Sequence, residues 1–156
     1  MNAAILTIWY DASCPLCATE MRTLQHHAGA ERLRLVDCSP ADFRDDDVAS
    51  AGYARADLMR LIHARDAEGR WLRGVDVFER AYRLAGIESV ANVFGHRRLR
   101  PLWDRLYPWI ARHRMALSRL RLDAFYGWAI AWAARRAARR ARGCDRGDCN
   151  IDAGRF

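Results

Sequence analysis

The chain has 156 residues, of which 51% are hydrophobic and 29% charged, enough to bury a core without staples. Its five cysteines are unlike a disulfide-dense secreted scaffold, and its longest apolar run, residues 124–134, is shorter than the roughly 20 residues of a membrane-spanning helix. All the basicity is arginine: residues 1–96 carry 11 arginines against 14 acids, while residues 97–142 carry 13 against Asp104 and Asp123 alone, a net charge of +11.

Residues 3–10 (AAILTIWY) read as a buried strand, Asp11-Ala12-Ser13 as a short turn, and Cys14-Pro15-Leu16-Cys17 as the opening of an amphipathic helix. Pro15 suits the first helical position, where a missing N–H costs nothing, so Cys14 falls at or next to the N-cap. A thiol there meets unpaired backbone N–H groups and the positive end of the helix dipole, and both favour thiolate. Cys17 follows on the same face, one turn deeper and within disulfide reach.

The first helix is expected over residues 15–27, with Gly29 as its C-cap. Residues 33–37 (LRLVD) alternate as a second strand, parallel to the first through the crossover helix. The acidic stretch 40–53 reads as a short helix with loops, and residues 58–64 as a third strand. Asp66-Ala67-Glu68-Gly69 has turn chemistry that pairs residues 70–73 back as a hairpin, and residues 75–84 then form a helix closed by Gly86. Past Gly95 the pattern is helical. Leu99, Leu102, Trp103, Leu106 and Ile110 form one apolar stripe kinked at Pro108, and a further long helix spans residues 115–142. The expected fold is α/β, a mixed sheet flanked by helices with an all-helical C-terminal extension. Residues 1–95 form the dithiol domain, residues 96–142 a basic helical extension packed on it, and residues 143–156 a flexible tail.

The dithiol leaves two readings open. Redox exchange makes Cys14 the attacking and Cys17 the resolving thiol. The alternative is a zinc-binding interaction module whose basic helices hold an anionic partner or membrane surface, since C-x-x-C is also a zinc half-site. Cys38 is single, no second C-x-x-C or His-x-x-x-His follows, and His26 and His27 point to different faces. Asp11 has two compatible roles: accepting the proton released when Cys17 attacks, or capping the turn. His63 is expected to pack on the third strand and Cys38 to be a small buried residue. Cys144 and Cys149 in the tail form a second pair that closes a disulfide loop, serves as an accessory redox shuttle to Cys14 and Cys17, completes a four-cysteine metal site with them, or stays as idle thiols.

With these elements placed, the chain resembles the DCC thiol-disulfide oxidoreductases, named for an Asp-x-x-Cys-x-x-Cys signature that here is Asp11, Cys14 and Cys17 in YDASCPLC. The likeness continues in HARDAEGRWLRGVDVF (residues 63–78) and LYPWIARHR (residues 106–114), and spans most of residues 4–115. It implies a thioredoxin-like fold and disulfide exchange. The expected partner is a protein or small-molecule disulfide or thiol, and no cofactor or metal is expected. Two positions depart from thioredoxins: Arg55-Ala56-Asp57 stands where a cis-proline would precede the third strand, and Ser13 where a Trp would precede the dithiol. The N-terminus runs straight into the strand without a signal peptide, so a cytoplasmic location is expected, peripheral at a membrane if the basic helices touch lipid. No motif for reading a specific nucleic acid is present.

Overall fold

Strand β1 (Leu6–Tyr10) is apolar on both faces because both faces are covered. In the computed structural model, which describes residues 5–119 together with Trp132 and Arg135, Leu6 and Ile8 enter one core and Trp9 enters another. β1 pairs in parallel with β2 (Leu33–Asp37) and antiparallel with β3 (His63–Asp66), which pairs antiparallel with β4 (Trp71–Arg73). The order β2-β1-β3-β4 gives a mixed four-stranded sheet with a thioredoxin-like arrangement. The larger core lies under α1 (Pro15–Ala28) and α4 (Val75–Leu84), where Met21, Leu24, Val77, Phe78 and Tyr82 pack on Leu6, Ile8 and Leu33. Each fully buried aliphatic side chain there contributes about 1.5–3 kcal/mol. The opposite face carries α2 (Asp46–Ser50) and α3 (Arg55–Arg60), with Val48 and Leu58 against Trp9 and Cys38.

Local signals account for the ends of these elements. Pro15 is the first residue of α1, and Gly29 closes it with φ +90° while donating to the Gln25 carbonyl at 2.8 Å. In the hairpin, Gly69 takes φ +82°, and the buried Asp66 carboxylate accepts both the backbone N–H and the Nε of Arg70 at 2.8 Å.

Three expectations change. Residues 58–64 are not one strand: α3 occupies 55–60 and β3 begins only at His63. Leu58, Leu61 and Ile62 stand at helical spacing, and the Asp57 carboxylate takes the free N–H of Ala54 at 3.0 Å, holding the first turn. No helix break occurs near Met115, because α6 (Arg100–Arg119) runs through Pro108 and past it. The stripe on α6 is also rotated. Leu102 is exposed, and Tyr107, Ala111 and Arg114 face inward, with contacts to α1, α3, α4 and α5 (Glu88–Gly95), a helix the sequence reading did not assign. Apart from Trp132 and Arg135, residues 120–142 of the expected helix, and the tail, lie outside the described residues.

Arg55 belongs to α3, not to the segment before a strand. Its guanidinium gathers the carbonyls of Cys38, Ser39 and Pro40, and so fixes the chain leaving β2. Arg55→Ala is expected to cost about 2–3 kcal/mol in urea unfolding, since three acceptors lose a charged donor. A loss under about 0.5 kcal/mol would mean that water replaces the clamp.

Candidate active site

Cys14 is the N-cap of α1, with φ −89° and ψ 111°, and its Sγ accepts the Cys17 backbone N–H at 3.3 Å. The Cys17 thiol donates to the same sulfur across 2.7 Å. One sulfur thus collects two donors at the positive end of a 14-residue helix. The hydrogen bond from the Cys17 thiol, helped by the Cys17 N–H and the nearby Arg114 charge, brings the Cys14 thiol down to about 7 against the opposing effect of burial. Cys17 moves the other way, raised first by donating to Cys14 and then by burial. The two environments separate an ionisable sulfur from one that keeps its proton. Burial does not follow depth along the helix: Cys14 has 0% exposure, whereas Cys17 is only partly buried.

Asp11 lies under this turn, itself buried. Its Oδ1 accepts the Ser13 N–H at 3.0 Å and the Ser13 hydroxyl at 2.5 Å, an Asx-type turn that sets the approach to the N-cap. Its Oδ2 accepts from Arg114 Nη2 at 2.6 Å. The ion pair joins positions 103 residues apart, with both side chains largely out of solvent. Both carboxylate oxygens of Asp11 are therefore already engaged by donors. The turn is also tied to the end of β2, where Asp37 Oδ1 accepts the Ala12 N–H at 3.1 Å.

Arg114 is one of two site residues that sequence reasoning missed, the other being Glu20. It lies within the LYPWIARHR segment, seven residues and therefore two helical turns beyond Tyr107, so both face inward from α6. The Tyr107 hydroxyl accepts the Ile62 N–H at 3.4 Å, while the Ile62 carbonyl accepts the Gly74 N–H at 2.9 Å. Leu61 and Ile62 are the residues that precede β3. They contain no proline, no described peptide bond is cis, and the polar backbone groups of Ile62 are both taken by this chain. Edge-on docking of a substrate backbone at Ile62 would have to displace Tyr107 or Gly74.

Glu20 stands one turn beyond Cys17 and accepts the Tyr82 hydroxyl at 3.0 Å. Its charge raises the Cys17 thiol further. The spacing Cys17-x-x-Glu20 was the available signal, since residues three apart share a helix face. His63 is buried on β3, opposite Trp9, with its ring edge on Tyr53 at 4.7 Å and Nδ1 2.9 Å from the Leu61 carbonyl. Cys38 is fully buried at the end of β2. Its thiol, 3.0 Å from the Tyr10 carbonyl, is pushed up to about 11 by burial. Cys144 and Cys149 lie outside the described residues. Among the described residues no three His, Cys, Asp or Glu side chains gather as a metal site, and no helix is long and apolar enough to cross a membrane.

No solved structure matches the chain. It is similar to an uncharacterized chloroplastic protein of Arabidopsis thaliana, with 28% identity over 110 residues, which are 70% of this chain and 50% of that protein. The chain thus spans about half the length of that curated relative. A family model matches residues 8–120, a stretch that begins in β1 and takes in the dithiol, the Asp11 turn and the whole of α6. The matched span contains both partners of the Asp11–Arg114 pair, and the chain belongs to the DCC1-like thiol-disulfide oxidoreductase family.

Proposed function

We propose that the chain exchanges disulfides through Cys14 and Cys17 in two displacement steps. The Cys14 thiolate attacks a substrate disulfide, forming a mixed disulfide and releasing one substrate thiolate. Cys17 then attacks the Cys14 sulfur, its proton passing to the departing thiolate, and the second substrate thiol leaves. The substrate is reduced to two thiols, and Cys14–Cys17 becomes a disulfide. An external thiol reductant returns it to the dithiol, and with a dithiol substrate the same steps run in reverse. The observation that carries this reading is the Cys17 thiol donating to an N-cap sulfur 2.7 Å away. In this scheme Asp11 is a positioning residue: it builds the turn and holds Arg114 beside the sulfurs, and its oxygens are committed to those tasks.

Alkylation under reducing conditions tests the assignment. The Cys14 thiolate should react with a rate that rises through a midpoint near pH 7, because its thiol is held at about 7 rather than near 9. The sign follows from the lowered value: thiolate is present above the midpoint and lost below it. Cys17 should stay largely unlabelled across this range, since its thiol is raised. Preferential labelling of Cys17 would reverse the roles, and a Cys14 midpoint near pH 9 would remove the basis for an activated nucleophile. The lowered value also stabilises the reduced form of the couple, so its redox titration should be more oxidising than a pair of unperturbed thiols.

A further inference from the structure

The solvent face of α6 is built unlike the rest of the surface. Leu102 and Trp109 are two helical turns apart on one face, and are 55% and 54% exposed. Arg105 and Arg112, each three residues on, flank them and are exposed, as are Arg97 and Arg98 in the turn before the helix. None of these four arginines has an ion pair among the described residues. Arg100 and Arg114, by contrast, are held by Asp76 and Asp104 and by Asp11 respectively. The acid on this helix, Asp104, is thus committed to Arg100, which leaves the outer face cationic.

We propose that this outer face of α6 docks on an anionic lipid surface. Arginines beside an exposed Trp and Leu match the boundary between phosphate headgroups and acyl chains, where the cations meet phosphate and the apolar side chains leave water. Trp109, whose ring lies tilted against His113 at 4.7 Å, has an indole suited to that boundary. A nucleic acid would use the arginines but leave Leu102 in water. The sequence continues in the same sense, since residues 97–142 carry the net charge of +11. Docked this way, the helix that turns Tyr107 and Arg114 toward the dithiol would rest on the membrane by its opposite side. The proposal stands independently of disulfide exchange.

Sedimentation of the full reduced chain with phosphatidylcholine vesicles, with and without phosphatidylserine, tests it. Binding should require the anionic lipid and weaken steeply with salt. Each arginine near such a surface is worth about fivefold in affinity, so Arg105→Glu with Arg112→Glu should lose about 25-fold or more. Leu102→Ser with Trp109→Ser should weaken binding while leaving its salt dependence in place. All four positions are exposed, so both variants should keep the wild-type circular dichroism and the Cys14 alkylation rate. Absence of binding at low salt, full binding by both double variants, or tighter binding to duplex DNA than to the vesicles would each overturn the proposal.

Discussion

Cys14→Ser should abolish disulfide turnover, by on the order of 10³-fold or more, because a serine hydroxyl supplies no thiolate at neutral pH. Cys17→Ser should behave differently. The first displacement still occurs, but nothing resolves it, so a covalent mixed disulfide on Cys14 should accumulate and be visible by mass spectrometry as Cys14 plus one substrate half. Neither substitution should unfold the chain. Cys14 is fully buried, and serine keeps an acceptor for the Cys17 N–H, so the cost should be about 1–2 kcal/mol. The Cys17→Ser variant also loses the strongest influence on the neighbouring sulfur, the thiol that donates to Cys14. A serine hydroxyl donates too, so the alkylation midpoint of Cys14 should stay below 9 in this variant. Turnover that survives Cys14→Ser but not Cys17→Ser would mean that the partly exposed sulfur is the nucleophile.

How much of this was legible depends on the range of the interactions involved. Strand β1, the N-cap position of Cys14, the Gly29 cap and the Gly69 hairpin turn all follow from signals within a few residues, and the structure has them where the sequence points. Between β2 and β3 the sequence is ambiguous, because Leu58, Leu61 and Ile62 form a short apolar run that satisfies either period. What decides it is the Asp57 carboxylate on the Ala54 N–H and the burial of Leu58 against Trp9 from the far side of the sheet. The orientation of α6 is hidden in the sequence for a related reason. Its leucines and tryptophans are distributed around the helix, and the inward face is selected by what it meets: Phe78 against Tyr107 at 5.3 Å, and Asp11 against Arg114. Arg114 was therefore invisible as a site residue. One arginine among 26 carries no local mark, and only folding brings it to a carboxylate 103 positions away.

The Asp11–Arg114 pair is where stability and reactivity are expected to couple most strongly. Arg114→Met keeps much of the side-chain volume but leaves the buried Asp11 carboxylate with its Oδ2 unpaired. Breaking such a pair from one side costs about 3–5 kcal/mol, so urea unfolding should register a large loss. The thiol should respond as well, and with a definite sign. Arg114 lowers the Cys14 thiol and Asp11 raises it, so removing the arginine takes away a favourable charge and exposes the sulfur to an uncompensated unfavourable one. The alkylation midpoint should move upward from about 7, and the rate at pH 7 should fall. Arg114→Lys should restore part of the midpoint, because the charge remains, but less of the stability, because lysine is a point charge on a flexible stem. In the double variant with Asp11→Asn, the buried unpaired charge is gone. Its loss of stability should be smaller than the sum of the two single losses, with a coupling of about 1–3 kcal/mol. A merely structural contact would lower stability in all of these variants and leave the pH midpoint of Cys14 where it was. An unmoved midpoint in Arg114→Met would confine Arg114 to holding α6 in place, and a midpoint that shifts and is recovered by lysine would identify its charge as part of what activates Cys14.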